Sequence, residues 1–316
     1  MIRTRIAVAG AVALLALAGC TDDGPASTEA APQPSVATSE SAAPVDTSCQ
    51  PRKSLQPTGT LPAPGKMPAG SYMAEIQKRG RLVLGTSQDT LLFSSRNPFT
   101  GKVEGFDVEM GRQIAKAIFG DPDKIQIKVI AYDKRVPDAA DGTVDIVADT
   151  MTINCARWKL VNFSTVYYDA GQRVLVSTDS KAKSIEVLGG KKVCAAEGST
   201  SLENIAKVAA KPVPVGLPGF TDCLVAFQQN QVDAISTDDV ILAGLAAQDP
   251  YAKVVGDRFT EEPYGMAMSN EHPEFTRFVN QVLAQNQANG TWKATYDKWL
   301  GGQFGPAPKP PVAEYK

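Results

Sequence analysis

An α/β fold of two lobes with a cleft between them is what the sequence predicts, and three observations carry it. Short apolar runs of strand length alternate with segments of helical period from about residue 71 to about residue 302. Alternating βα units imply mostly parallel sheets, whose ligand crevice lies at the carboxyl ends of the strands. The chain has 316 residues, a length suited to two domains rather than one core.

The elements follow in order. Arg81–Gly85 is a short apolar strand. Phe106–Phe119 has helical period, with Val108, Gly111, Ala115 and Ile118 on one stripe widened by Met110, Ile114 and Ala117. Ile125–Ile130, Val144–Ala148 and Gln172–Ser177 read as strands. Strand Lys192–Ala196, helix Ser201–Ala210 and strand Val213–Val215 come next. Helix Thr221–Asn230, strand Val232–Ser236, helix Val240–Gln248 and strand Tyr251–Val255 follow. Phe275, Phe278, Val279, Val282 and Leu283 mark a helix that Gly290 stops, and Thr291 is placed to cap the next, with Trp292, Tyr296, Trp299 and Leu300 as core. Residues 303–316 form a Pro-rich tail.

Composition removes several functions. The formal charge is −2, and −4 without Arg3 and Arg5, with 30 basic against 34 acidic residues. No basic stripe remains, so nucleic acid is not an expected partner. The one histidine, His272, excludes a multi-His zinc site or an HExxH helix. Its place in Asn270-Glu271-His272-Pro273 reads as a helix start on the surface.

The N-terminus reads as a lipoprotein signal over residues 1–19. Arg3 and Arg5 precede an apolar run, Ile6–Leu17, too short to span a bilayer. Leu17-Ala18-Gly19-Cys20 resembles the bacterial lipobox, which implies that Cys20 is diacylated and holds the protein at the outer side of the cell membrane. Ala, Ser, Thr, Pro and Gly fill 20 of the 28 positions 21–48, the composition of a disordered tether, which Pro-rich residues 49–70 are expected to continue. Cys49, Cys155, Cys194 and Cys223 remain, an even number in an exported chain, suggesting two disulfides with three possible pairings.

One stretch is specific. Gly105-Phe106-Asp107-Val108-Glu109-Met110, followed by Ile114-Ala115 and Ile118, resembles the signature of family 3 extracellular solute-binding proteins, the polar amino-acid receptors of ABC importers. The resemblance extends over roughly residues 75–302. Its landmarks include Asp145-Ile146-Val147 with Thr152 and Arg157, Phe163-Ser164, Tyr167-Tyr168, Gly198-Ser199-Thr200-Ser201, Val232-Asp233-Ala234 with Asp238, and Tyr264-Gly265. Within the family the chain is similar to the glutamate- and aspartate-binding lipoproteins of actinobacteria.

The resemblance implies a bilobal type II periplasmic-binding fold, two α/β lobes joined by two hinge crossovers near Asp169-Ala170-Gly171 and Glu262-Pro263-Tyr264. Lobe 1 would comprise residues 71–168 and 266–302, and lobe 2 residues 172–260. Cys194–Cys223, similar to a lobe-bridging pair in these proteins, and Cys49–Cys155 are the implied disulfides. The ligand is a free L-amino acid, glutamate or aspartate before asparagine or glutamine. The protein is a monomer with no cofactor and no catalytic residues, and its partner is an ABC permease or a transmembrane sensor.

The resemblance also assigns residues. Arg157 matches the arginine whose planar fork takes the α-carboxylate. Thr150 and Thr152 face the crevice beside it. Gly198-Ser199-Thr200 opens a helix whose free N–H groups add to the carboxylate site. Asp238, rather than its neighbour Asp239, receives the α-ammonium. Arg135 matches a position where acidic-amino-acid receptors carry arginine, and Arg96 either assists it or is a solvated loop residue. Ser87, Gln88 and Asp89 line the cleft and Tyr132 forms a wall. Asp149 departs from the family, which has a small residue there. It points away, reinforces the ammonium site or favours an uncharged or basic ligand. A dehydratase on the same fold would need a general acid in the cleft, and Asp149 is its one candidate.

Overall fold

The computed structural model describes residues 35–36 and 49–316. The signal segment 1–19, Cys20 and, apart from residues 35–36, the tether to residue 48 lie outside the described residues. Two sheets organise the fold. One has five strands in the order Ile125–Val129, Leu82–Thr86, Ile146–Val147, Ala267–Ser269, Val161–Phe163. The other has six, in the order Ser35–Val36, Val213–Leu217, Lys192–Ala196, Ala234–Asp238, Gln172–Ser177, Ala252–Val255. Each keeps a parallel core of three strands. The strands on which the chain enters or leaves a sheet pair antiparallel. The sheets are therefore mixed where mostly parallel ones were expected, because a chain that crosses twice must return against the direction of the βα units.

The crossovers are themselves a ladder. Tyr168–Ala170 and Glu262–Tyr264 pair antiparallel, Tyr168 opposite Tyr264 and Ala170 opposite Glu262. Their two tyrosine rings stack at 5.7 Å. Two short strands bonded to each other bend as a unit, which suits a hinge that absorbs lobe motion in few residues.

Helix Phe106–Phe119 forms as its stripe requires. Phe106, Val108, Met110, Ile114, Ala115 and Ile118 are buried, and Gly120 caps the end in the left-handed region at φ 78°. Gly105 precedes it at φ 143°, and a Cβ there would sit 2.2 Å from the Phe93 carbonyl oxygen. The signature glycine is thus a steric requirement. Helix Pro273–Ala288 follows His272, whose ring stacks on Tyr72 at 3.9 Å. The next helix, Thr291–Trp299, has Gly290 rather than Thr291 at its N-cap and no side-chain capping bond. Helices Tyr72–Arg79 and Arg135–Ala140 are present where no element was expected.

Residues 49–70 correct the tether expectation. Lys53–Ser54 pairs in parallel with Glu314–Tyr315 of the tail. The buried Ser54 hydroxyl donates to the Phe163 carbonyl at 2.6 Å, and Arg52 bonds both Asp169 and Glu314. Proline content suggested a loose chain, but Pro-rich segments also pack as extended straps once side chains between the prolines find partners. Ser35–Val36, likewise assigned to the tether, is an edge strand against Val215 and Gly216.

Both disulfides form, Cys49–Cys155 and Cys194–Cys223. Cys194–Cys223 joins strand Lys192–Ala196 to helix Phe220–Gln228 beneath the same sheet. It staples one lobe and does not bridge the two, because both cysteines lie between the crossovers. Closing its 29-residue separation should contribute about 3–4 kcal/mol in the chain-entropy account. The double variant Cys194→Ala, Cys223→Ala is therefore expected to unfold at clearly lower denaturant concentration. An unchanged midpoint would show that the loop is held without the bond.

Candidate functional site

The cleft is built outward from a strained loop. After strand Ile146–Val147 the chain leaves the sheet, and Thr150 takes φ 42°, a conformation rare for a threonine. Its N–H donates to Asp107 Oδ2 at 2.7 Å, while Asp107 Oδ1 accepts from the Tyr167 hydroxyl at 2.7 Å. Asp107, the third residue of the signature, thereby holds the cleft loop to helix Phe106–Phe119. Burial pushes its carboxyl up to about 7, the bonds from Tyr167 and Thr150 opposing and the nearby Asp149 reinforcing the shift.

Two arginines meet over this loop. Asn154 caps the one-turn helix Cys155–Trp158, accepting from the Arg157 N–H at 2.9 Å. Arg157 Nη1 donates to the Thr152 carbonyl at 2.7 Å and Nη2 to the Gly198 carbonyl of the other lobe at 3.0 Å. Arg135, 3% exposed, lies over the Tyr132 ring with 4.8 Å from its central carbon to the centroid. Its guanidinium donates to the carbonyls of Tyr132 at 3.0 Å, Asp149 at 3.0 Å and Gly198 at 3.3 Å. One lobe 2 carbonyl thus receives both cations. Burial and then repulsion from Arg135 pull Arg157 down to about 9, against Glu203, Glu262 and Asp238.

Lobe 2 supplies the facing wall. Gly198, at φ 70°, has no room for a side chain, since a Cβ would lie 2.6 Å from the Asp133 Cα of lobe 1. Ser199 caps helix Thr200–Lys207 through the Leu202 N–H at 3.2 Å and donates to the Ala196 carbonyl at 2.6 Å. Asp238 ends strand Ala234–Asp238. The Tyr264 hydroxyl donates to its Oδ2 at 2.6 Å, and its buried Oδ1 has no partner. Burial, and then Glu262, push this carboxyl well above the ordinary range. Asp239, the alternative, instead pairs with Arg258 at 2.6 Å.

Arg135, Arg157, Thr150, Thr152, Ser199, Thr200 and Asp238 therefore surround one cavity of about 10 Å³, the lobes being shut on each other. Tyr132 backs Arg135 and meets Phe220 of lobe 2 edge-on at 5.1 Å. Ser87 is buried beside it, bonded to Ser94 and Thr90. Asp89 lies at the lobe junction, its Oδ2 3.4 Å from the Thr221 N–H, and burial raises its pKa. Gln88 and Arg96 are not brought to the cavity. Arg96 donates to the Gln88 side chain at 2.8 Å and to the Gly101 carbonyl at 2.6 Å, and both residues are exposed.

Glu262, expected at the hinge, also bonds side chains of both lobes. Its Oε2 accepts from the hydroxyls of Thr152 at 2.6 Å and Thr200 at 2.8 Å, and Oε1 from Asn204 at 2.9 Å and Thr260 at 2.7 Å. It ties both lobes to the crossover. Phe220, Thr237, Ser201 and Ile241 also line the cavity, and no sequence spacing marks them, since each comes from a different lobe 2 element. Among the described residues no group of three metal-ligating side chains occurs and no helix is long and apolar enough to cross a membrane.

A bilobal type II periplasmic-binding fold, closed over a cavity of paired cations and unpaired acceptors, defines the class. The match to the family model of bacterial extracellular solute-binding proteins, family 3, covers residues 82–302, and the chain belongs to that family. The ABC transporter glutamine-binding protein GlnH of Bacillus subtilis (strain 168) is 38% identical over 229 residues, covering 72% of this chain and 84% of that protein. The glutamate-binding protein GluB of Corynebacterium glutamicum is 28% identical over 242 residues, covering 73% and 81%. Likeness to the actinobacterial glutamate-binding group is thus present, below that to the glutamine-binding relative. An ancestral arginine-binding protein solved with arginine is 33% identical, with a TM-score of 0.66 over 71% of this chain and 99% of that one.

Two outcomes follow. Asp107 is neutral in both states below about pH 4, and its folded pKa of about 7 exceeds the unfolded value of 3.8. Its contribution is fully present at low pH and lost as pH rises toward 7. Asp149 and Asp238 shift the same way. The ligand-free protein should lose thermal stability between about pH 4 and 7, with a shallower slope in Asp107→Asn, measured by melting at each pH. Arg96→Ala should leave ligand affinity unchanged by calorimetry, while a loss above tenfold would return Arg96 to the cleft.

Proposed function

We propose that this protein is a membrane-anchored extracytoplasmic receptor that binds an L-amino acid between its closing lobes and delivers it to an ABC importer. The observation that carries this reading is the pair of buried guanidinium groups, Arg135 and Arg157, which meet only neutral carbonyls and share that of Gly198, beside an Asp238 oxygen with no hydrogen bond. A free amino acid brings what that arrangement lacks. Its α-carboxylate accepts the Arg157 fork, and its ammonium donates to Asp238. Glutamate or aspartate adds a second carboxylate for Arg135, with asparagine or glutamine next. Relatives named for glutamine and for glutamate binding support the same ligand class.

Closure follows from differential contacts. Groups on lobe 1 and lobe 2 bind the same small molecule only when shut, so ligand shifts the population toward the closed form. Thr150, Thr152, Ser199 and Thr200 add polar contacts around the carboxylate, with Tyr132 and Ser87 at the side-chain end. The chemistry is binding alone, with no cofactor and no bond broken. Anchoring rests on the acylated Cys20 after loss of residues 1–19.

The test is thermal unfolding of the unlipidated, refolded protein against the twenty amino acids. A true ligand at a hundred times its dissociation constant adds about 2.7 kcal/mol. L-glutamate, L-aspartate or their amides should raise the midpoint and L-lysine and L-arginine should not. Arg157→Ala should abolish the shift. A response to the basic amino acids alone would overturn the ligand assignment.

A further inference from the structure

We propose that Asp149 is the specificity-determining carboxyl of the cleft, which with Arg135 recognises the side-chain end of the ligand by donating a proton to a carboxylate or accepting from a carboxamide. The inference rests on the amino-acid-receptor reading above and deepens it.

Asp149 is fully buried. Its backbone carbonyl accepts from Arg135 Nη1 at 3.0 Å, so its side chain leaves the chain beside that guanidinium. Ser94 donates to Oδ1 at 3.4 Å and Ser87 also approaches the carboxyl, while Oδ2 is buried without a hydrogen bond of its own. A buried carboxyl oxygen without a partner is costly, and the next residue, Thr150, lines the cavity. The groups that face Asp149 come from every side. Arg135 is its one cation, from helix Arg135–Ala140. Asp107 comes from helix Phe106–Phe119 and Asp89 from strand Asp89–Thr90. The neutral donors are Ser87, Ser94, Tyr132 and, behind Asp107, Tyr167. One cation among three carboxyls leaves no surplus positive charge for a second ligand carboxylate while all three are ionised.

The proton therefore sets the ligand. With Asp149 ionised, Arg135 and Asp149 together offer a donor fork and an acceptor. That pattern matches a carboxamide, its oxygen on Arg135 and its NH2 on Oδ2. With Asp149 protonated, its O–H adds a donor to the Arg135 fork, and the pair then matches a carboxylate. Burial raises the Asp149 pKa, with Arg135 opposing, so burial favours the protonated form. An acidic amino acid then binds with uptake of a proton and its amide without one.

Calorimetry of the wild-type protein between pH 5 and 8, in buffers of different ionisation enthalpy, counts that proton without any variant. The association constant for L-glutamate and L-aspartate should fall, by up to about tenfold per pH unit above the titration of Asp149, with uptake approaching one proton. That for L-glutamine and L-asparagine should not fall. Asp149→Asn removes the titrating group and should bind L-glutamate more tightly than wild type at pH 8, with a flattened profile, and should narrow the difference between acid and amide. A merely structural role would weaken both ligand classes alike at every pH. Binding with no proton uptake, or uptake that survives in Asp149→Asn and so belongs to Asp107, overturns the inference and leaves the receptor reading standing. Failure of the wild type to bind any of the four amino acids overturns both.

Discussion

Two cations buried within reach of a single carbonyl oxygen are the constraint on which the rest of this structure depends. Arg135 and Arg157 come from separate short helices of one lobe and converge on Gly198 of the other. Burying a charge is unfavourable unless it is paired, and the neutral carbonyls of Tyr132, Asp149, Thr152 and Gly198 are a weak answer to two guanidinium groups. The repulsion shows in Arg157, drawn down to about 9 by burial first and Arg135 second. An anion between them would relieve both at once, which is the basis of the proposal that ligand binding and closure are coupled.

Much of the surrounding architecture serves to hold that pair. Thr150 stays in a strained conformation because Asp107 accepts from its N–H, and Asp107 is fixed from the far side by Tyr167. Gly198 brings lobe 2 onto the turn that precedes Arg135 because nothing projects from its Cα. Glu262 collects donors from both lobes at the crossover, so the hinge and the cleft report to one carboxyl. Cys49–Cys155 ties the segment that carries Arg52 and Ser54 to the one-turn helix of Arg157.

The sequence was legible where chemistry is local. The stripe of Phe106–Phe119 and the strands Gln172–Ser177 and Lys192–Ala196 follow from periodicity, and each stands in the structure. What stayed hidden depends on distant chain. Ser54 becomes a buried anchor only because Phe163 and Asn280 come to it, which proline content cannot reveal. Arg96 carries the right charge for the cleft, but a hairpin turns it onto Gln88. The Asp107 role sits inside a signature read for its glycine and its apolar positions, although an acidic residue at a buried helix position was the available signal.

The central claim is that the α-carboxylate of the ligand answers the buried arginine pair. Calorimetric comparison of L-glutamate with its α-amide, which keeps the ammonium and the side-chain carboxylate, tests it most directly. The account requires the α-amide to bind at least a hundredfold more weakly, about 2.7 kcal/mol. Equal affinities would contradict it and move the carboxylate site away from Arg157.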